Sequence, residues 1–236
     1  VLIAGDRESR RFRQQPWSSR GAVGAIISLL RERTFKEWST VILYNPAEIG
    51  PADRNCIAVP LGVERSGYEN TYRDFAYDII FTGNMHFEPN RKAARFILES
   101  LCSAFDALYH QQLTVCIAGI GSEQFGRFAS EQVHIKGYVE SIEQEIARAR
   151  LYVSPLFSGS GMKNKVLQAI AVGTPLLGTS LSFEGIEGDF ADCTEDSRDG
   201  KAWSRRITAM LSLYDHLVAT ARANKRIIEE RYSWER

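Results

Sequence analysis

Leu151-Tyr152-Val153-Ser154-Pro155-Leu156-Phe157-Ser158-Gly159-Ser160-Gly161-Met162-Lys163-Asn164-Lys165-Val166-Leu167-Gln168-Ala169-Ile170-Ala171-Val172-Gly173-Thr174-Pro175-Leu176-Leu177-Gly178-Thr179 holds a complete strand–turn–helix–strand unit. Leu151 to Pro155 is apolar and short, as a buried strand requires. Ser158 to Gly161 is a turn of small residues, and Gly173-Thr174-Pro175 stops the helix before the next apolar run. Between them, Asn164, Lys165 and Gln168 share one helical face, while Met162, Val166, Ala169 and Ile170 line the other. One face can pack on a sheet while the other looks into a cleft. The first backbone N–H groups of a helix have no internal partner, and the helix dipole adds positive potential there, so such a turn suits phosphate. Lys163 and Lys165 add formal charge at that place. An ordinary capped helix of an α/β domain is the plainer alternative for this run alone.

The same alternation extends outward in both directions. Ile79-Ile80-Phe81-Thr82 reads as a strand ending at Gly83, followed by a helix from about Asn90 to His110 with Ala93, Ala94, Phe96, Ile97, Leu101 and Leu108 on its apolar face. Leu113 to Ala118 is the next strand, with a short helix around Gln124 to Ala129. Val133 to Gly137 is a third strand and Ile142 to Ala149 a third helix. The unit quoted above supplies the fourth and fifth strands, Leu151 to Pro155 and Pro175 to Thr179. Continuous apolar strands separated by helices imply parallel pairing with both faces covered. With right-handed crossovers the expected fold class is α/β, a doubly wound parallel (Rossmann-like) sheet. Lys201 to Arg236 reads as a helical tail, with Ile207, Met210, Leu211, Leu213, Leu217 and Val218 as its apolar stripe. Towards the amino end, Ala22 to Arg33 reads as a helix, and Thr40 to Tyr44 and Cys56 to Leu61 as strands. Gly62 to Tyr77 is polar and without period, as a linker would be.

Bulk properties narrow the classes. The chain has 236 residues, 44% hydrophobic and 25% charged, which suits a soluble globular protein. Its 29 basic and 29 acidic residues balance, so no global field favours nucleic acid or an anionic membrane. Cys56, Cys102, Cys116 and Cys193 lack CxxC spacing, and three lie in or beside apolar runs, which predicts reduced thiols and a cytoplasmic setting. No apolar stretch is long enough to cross a bilayer. The amino end, Val1-Leu2-Ile3-Ala4-Gly5-Asp6, has neither an initiator Met nor a basic lead, and reads as a chain entered in mid-protein.

In open α/β sheets ligands sit outside the carboxyl ends of the strands. Three glycine-bearing turns fall there: Thr82-Gly83-Asn84, Ala118-Gly119-Ile120-Gly121 and Ser158-Gly159-Ser160-Gly161. A lone GxG is weak, because turns after strands use glycine for steric reasons. Glycine turns combined with a lysine-bearing helix start point more strongly to a phosphorylated ligand. No GxGxxG follows the first strand of this unit, which argues against a dinucleotide-binding dehydrogenase, and no GxxxxGK[ST] occurs, which excludes a P-loop.

Several ordered motifs resemble the C-terminal domain of family-4 glycosyltransferases of the GT-B fold. These are Phe81-Thr82-Gly83-Asn84-Met85 with Pro89-Asn90, Ile117-Ala118-Gly119, His134-Ile135-Lys136-Gly137-Tyr138-Val139, and the glycine turn running into Lys163-Asn164-Lys165-Val166-Leu167. Ser182-Phe183-Glu184-Gly185-Ile186 and Tyr232-Ser233-Trp234-Glu235 complete the set, over roughly Cys56 to the end. The branch with Gly-Asn-Met, Pro-Asn and Lys-Asn-Lys includes sugar transferases of surface-polysaccharide assembly. The resemblance implies the C-terminal half of a GT-B architecture and retaining transfer from a nucleotide-diphosphate sugar to a glycan or lipid-linked acceptor. On that basis Gly83 and Asn84 approach the donor phosphates. Gly119, Gly137, Tyr138 and Val139 border the nucleobase. Gly159, Ser160, Gly161, Met162 and Lys163 cradle the diphosphate with Lys165, and Lys163 is the expected catalytic group. Positioned N–H donors and a lysine can stabilise the leaving diphosphate without a metal. No metal or other cofactor is therefore expected, and His86, His110, His134 and His216 read as structural or surface residues.

Two departures from the family pattern stand out. Where the family carries paired glutamates spaced E-x7-E, this chain has Ser160 and Gln168. A neutral amide forgoes the charge-assisted bond a carboxylate makes to the ribose diol, which implies weaker or altered donor binding. The N-terminal domain, expected to supply the acceptor site, is represented only by residues 1–61, with 62–77 as a linker and 78–236 as the donor-binding domain and its helical tail. The family pattern also has the chain end by crossing back onto the first domain, here through Leu217 to Trp234. Such a fragment would bind donor, turn over poorly, and expose apolar surface that favours self-association. The implied partners are a nucleotide-diphosphate sugar and a glycan or lipid-linked acceptor, not nucleic acid. The implied location is the cytoplasm, with peripheral contact at the inner face of the membrane. A non-catalytic nucleotide-sugar-binding module and a sugar-nucleotide epimerase of related fold are the alternatives.

Overall fold

The computed structural model describes residues 2–3, 41–43, 49, 56–59, 61–64 and 67–233. Three short strands, β1 (Leu2–Ile3), β2 (Val41–Leu43) and β3 (Cys56–Ala58), pair in parallel in that order. Leu2 stands opposite Val41, and Val41 opposite Cys56. The last two are the strands expected near Thr40 and Cys56, whereas β1 carried no expectation. The helix expected at Ala22 to Arg33 and the terminal Trp234-Glu235 lie outside the described residues.

The larger sheet is built from β4 (Tyr77–Thr82), β5 (Val115–Ala118), β6 (Val133–Lys136), β7 (Ala149–Ser154) and β8 (Leu176–Gly178). All four pairings are parallel, in the order β6-β5-β4-β7-β8. Ile79, Ile80, Phe81, Val115, Ile117, Leu151, Tyr152 and Val153 are fully enclosed, because helices cover both faces. The chain runs outward from β4 through β5 to β6, then returns to β7 on the other flank of β4. The direction of winding therefore reverses between β4 and β7, and a crevice opens at that reversal.

The connecting helices follow the apolar periodicity with some differences. After β4 come α1 (Glu88–Arg95), a wide π-type turn (Phe96–Leu101) and α2 (Cys102–Tyr109), where a single α-helix was expected. In the wide turn Cys102 N–H donates to Ile97 O, five residues back. The start of a later helix packs there: a Cβ on Gly200 would lie 2.3 Å from Ser100 O. Leu108, expected on the buried face, is exposed. A 3-10 turn (Ser122–Phe128) joins β5 to β6, and α3 (Ile142–Ala147) joins β6 to β7. α3 stops two residues short of its expected end because Ala149 already pairs with Tyr77 in the sheet. α4 (Asn164–Val172) lies between β7 and β8, and α5 (Ser180–Phe183) follows β8.

The tail is two helices rather than one, α6 (Gly200–Ser212) and α7 (Tyr214–Arg231). Leu213 sits at the break, 64% exposed, so it does not belong to the apolar stripe in which it was expected. Trp203 of α6 is fully buried, edge-on to Phe96 at 5.7 Å and to Phe157 at 6.3 Å. Beyond α7, Tyr232 O accepts from Val63 N–H at 2.7 Å, and Val63 bridges Ser233. The Tyr232 hydroxyl accepts from Glu187 N–H at 3.0 Å and donates to Gly185 O at 3.3 Å. The end of the chain is thereby tied both to the segment before β4 and to the loop after α5. That earlier segment is itself anchored, since Asn70 is buried and donates to Ala149 O at 2.8 Å.

Candidate functional site

Turns after β4, β5 and β6 are joined backbone to backbone at the carboxyl rim of the sheet. Gly83 N–H donates to Ala118 O at 3.0 Å, and Met85 N–H to Ile120 O at 2.8 Å. Gly119 N–H is shared between Lys136 O at 3.0 Å and Gly137 O at 2.9 Å. This closeness demands glycine. Gly119 has φ of 120°, and a Cβ there would stand 2.2 Å from Gly83 O. Gly83, Asn84, Gly119, Gly137, Tyr138 and Val139 thus belong to one continuous rim.

The turn after β7 completes the crevice on the other side of the winding reversal. A hydroxyl network fixes where it leaves the sheet. Ser182 Oγ donates to Ser154 O at 2.6 Å, and Thr179 Oγ1 donates to Leu156 O at 2.6 Å. Gly159 and Gly161 have φ of 125° and 74°, which side chains rarely adopt, so the backbone can double back ahead of α4. A Cβ on Gly159 would come within 3.8 Å of Pro89, which places this turn against the start of α1. Met162 is buried in the core, so only its backbone is available to a ligand.

The two lysines occupy different niches. Lys163 is the residue just ahead of α4, buried at 8% exposure, with its ammonium donating to Gly161 O. Lys165 lies in the first turn of α4 and donates to Asn90 Oδ1. Asn90 Nδ2 donates to Asn84 O at 2.8 Å. One chain of contacts, Lys165 to Asn90 to Asn84, therefore stitches the helix to the first glycine turn. Gly83 makes room for it, because a Cβ there would lie 2.9 Å from Asn90 Nδ2.

Lys165 is half-buried as a residue, but its ammonium end is enclosed, 5.5 Å from the centre of the Phe81 ring. Burial, with Lys163 close by, pulls its pKa down to about 7. Among the described residues no carboxylate pairs with it. A cation held among amides, an aromatic face and a second ammonium is stabilised by any anion that enters.

Gln168 follows Lys165 by three residues and so shares its face of α4. Its Nε2 donates to Glu143 Oε1 at 2.8 Å, and Ser141 Oγ approaches Glu143 Oε2 at 3.4 Å. Glu143 lies in the first turn of α3, just beyond the Gly137-Tyr138-Val139 turn. Tyr138 is 75% exposed, while Gly137 is packed against Glu123, whose Oε1 would lie 1.9 Å from a Cβ placed there.

The rim and the helix start thus bring together the residues singled out from sequence. Gly83 and Asn84 sit opposite Gly159 to Lys165, and Gly119, Gly137, Tyr138, Val139 and Gln168 extend the same edge; Ser160 lies within the glycine turn. Sequence reading assigned no role to Asn90, Glu143 or Glu123. Asn90 was visible in the Pro-Asn pair, but its partner is 75 positions away. Glu143 carried no local signal. Three of the four histidines stand apart: His134 packs against Tyr77, His216 lies 3.9 Å from Asp192, and His110 ends α2. His86 lies beside Gly121 on the rim. Among the described residues no three His, Cys, Asp or Glu side chains converge as metal ligands would. Burial pushes the Cys102 and Cys116 thiols up to about 12, which leaves them unreactive. No described helix is long and apolar enough to cross a membrane.

Comparison with solved structures bears on the fold. Sucrose-phosphate synthase from Thermosynechococcus elongatus superposes with a TM-score of 0.75 at 13% identity, over 99% of this chain and 64% of that one. HepE from Anabaena, solved with UDP and glucose, gives 0.71 at 13% identity, over 99% and 67%. S. aureus TarM gives 0.71 at 12% identity, over 99% and 47%. The chain thus spans about half the length of TarM and about two thirds of HepE. At these identities the likeness is one of fold, the GT-B arrangement. No curated protein sequence matches the chain. The model of the family described as glycosyl transferases group 1 matches residues 76–212, from the start of the large sheet through α6. That match takes in more than half of the chain and the whole carboxyl rim, and the chain belongs to the group 1 glycosyl transferases.

Proposed function

We propose that this chain is the donor-binding part of a family-4, retaining glycosyltransferase that uses a nucleotide-diphosphate sugar. The observation that carries the reading is the Lys165–Asn90–Asn84 link beside a glycine turn, at the winding reversal of the sheet. The diphosphate would lie between Gly83-Asn84 and Gly159 to Lys163, with the nucleobase towards Gly119 and Gly137 to Val139. In the transfer, the bond from the anomeric carbon to the diphosphate oxygen breaks. The acceptor oxygen bonds to the same face of that carbon and gives its proton to the departing diphosphate oxygen. Negative charge then grows on the departing diphosphate, where turn N–H groups, Lys163 and Lys165 stabilise it. Lys163 would release Gly161 O to reach the ligand. Two ammonium groups supply the charge a divalent cation would otherwise bring, so the transfer is proposed to be metal-independent.

HepE was solved with UDP and glucose, which supports a sugar nucleotide as ligand class for this fold. A glycan or lipid-linked acceptor, a place in polysaccharide assembly at the inner face of the membrane, a cytoplasmic location and self-association of the fragment belong to the same proposal. So do the division at residues 61 and 77, and the peripheral membrane contact.

A thermal-shift panel of UDP, GDP, ADP and their hexose conjugates, each with and without EDTA, tests the reading. One diphosphate series should raise the melting point and its monophosphate should do so far less, because a ligand of the folded state stabilises by mass action. No shift with any of them refutes the reading, and a shift abolished by EDTA refutes metal independence. Conversion of the sugar nucleotide with no acceptor present would favour an epimerase instead.

A further inference from the structure

Resting on the sugar-nucleotide reading above, we propose that Glu143 is the carboxylate that recognises the ribose diol of the bound nucleotide, and that Gln168 positions it. A vicinal diol offers two O–H donors, and a carboxylate is the acceptor that takes both with charge assistance. Gln168 is neutral and already spends Nε2 on Glu143 Oε1 at 2.8 Å. Its contribution is to hold that carboxylate, not to replace it.

Three observations converge on Glu143. It stands in the first turn of α3, which begins three residues after Val139, the last residue of the Gly137-Tyr138-Val139 turn of the rim. Gln168, its partner, lies on the same face of α4 as Lys165, so the carboxylate is tied to the helix that presents the phosphate site. Its contacts within the described residues are neutral donors only, Gln168 and, more distantly, Ser141 Oγ at 3.4 Å. Glu145, two positions on, is by contrast consumed by Lys136 at 2.9 Å and the Tyr77 hydroxyl at 2.9 Å. Glu143 therefore keeps acceptor capacity that no cation of the described chain claims, and it remains partly open to solvent.

Glu123, against Gly137, is the other carboxylate near this turn. It is exposed and belongs to the loop after β5, with no link to α4. It serves as the control.

The test is a calorimetric titration of the whole chain with the best-binding of UDP, GDP and ADP, and with the 2′,3′-dideoxy form of the same nucleotide. The native protein should lose about tenfold in affinity on removal of the diol, in line with the loss of charge-assisted hydrogen bonds. Glu143→Gln should bind the natural nucleotide about as weakly as the native protein binds the dideoxy form, with no further loss on removing the diol. Glu123→Gln should discriminate as the native protein does. The exchange variant Glu143→Gln/Gln168→Glu, which preserves one amide and one carboxylate in contact, should recover discrimination. Native protein that binds both nucleotides equally overturns the proposal without any variant being needed. So does Glu143→Gln protein that still discriminates. Either result would leave the phosphate site intact, whereas failure of all diphosphates to bind refutes the sugar-nucleotide reading itself.

Discussion

Lys165, in the first turn of α4, and Lys136, at the end of β6, are both partly buried lysines, and their environments are opposites. Lys136, at the end of edge strand β6, is covered by Glu145 at 2.9 Å, with the Tyr77 hydroxyl on the other carboxylate oxygen and Arg148 at 3.7 Å. Burial works against its charge, yet its hydrogen bonds to Tyr77 and Glu145 outweigh it and hold the Lys136 pKa above the ordinary lysine value. The Lys165 ammonium is enclosed far more deeply, with a second ammonium in place of a carboxylate, and its pKa falls to about 7. The difference teaches how a binding site differs from a structural pair. In one place the anion is built into the fold, and in the other it is left out for a ligand to supply.

The largest effect should come from removing the uncompensated charge. Lys163→Ala/Lys165→Ala should weaken nucleoside diphosphate binding by about 100-fold or more, as expected for two charge-assisted hydrogen bonds. Lys165 holds no carboxylate among the described residues, so its removal breaks no ion pair there, and the variant should stay folded throughout the titration. A calorimetric titration beside a thermal melt checks both. Retained affinity would break the contrast.

The next test turns the first environment into the second. Asn90→Asp would set a carboxylate against Lys165, raise its pKa and satisfy it internally. Diphosphate affinity should drop roughly tenfold, and the change also removes the Nδ2 donor that Asn90 gives to Asn84 O. An unchanged affinity would show that Lys165 is not what the ligand meets. The converse change, Glu145→Gln, strips Lys136 and Tyr77 of their partner. It should cost about 1–2 kcal/mol of stability, seen as a melting point lower by several degrees, without altering nucleotide affinity.

The smallest effect is a pH dependence, and its sign is fixed by the direction of the shift. In the free protein Lys165 resists its proton, so folding stability gains as pH rises from about 7 towards the ordinary lysine range. A bound anion favours the charged form, so above pH 7 each binding event takes up a proton and affinity declines. Lys165→Arg, charged at every accessible pH, should flatten the profile. Glu145 gives a pH dependence of the same sign in a lower window. Burial opposes its charge, but Lys136 and Tyr77 hold its pKa below the usual carboxylate value, so its contribution is lost as pH falls through that value.

How legible these features are in sequence depends on how local their causes are. The five strands of the large sheet announce themselves because a strand enclosed on both faces must be apolar throughout, as Ile79 to Phe81 and Leu151 to Val153 are. The glycine turns and the lysine pair are equally plain, since turn and helix start are adjacent in the chain. The wide turn at Phe96–Leu101 and the break at Leu213 escape sequence reading because apolar spacing continues across both. The wide turn is matched instead by the close approach of Gly200, about 100 positions along, which periodicity cannot register. The same holds for the site. Lys165 meets Asn90 and Gln168 meets Glu143 only after the helices pack, and those contacts decide which charge is compensated.

The most direct measurement is an NMR titration of the Lys165 side chain, assigned through Lys165→Arg, with and without saturating nucleoside diphosphate. A midpoint near 7 in the free protein that climbs by about two units or more on binding is the expected result. A midpoint at the ordinary lysine value of about 10, unmoved by the ligand, would contradict a diphosphate held at this helix start.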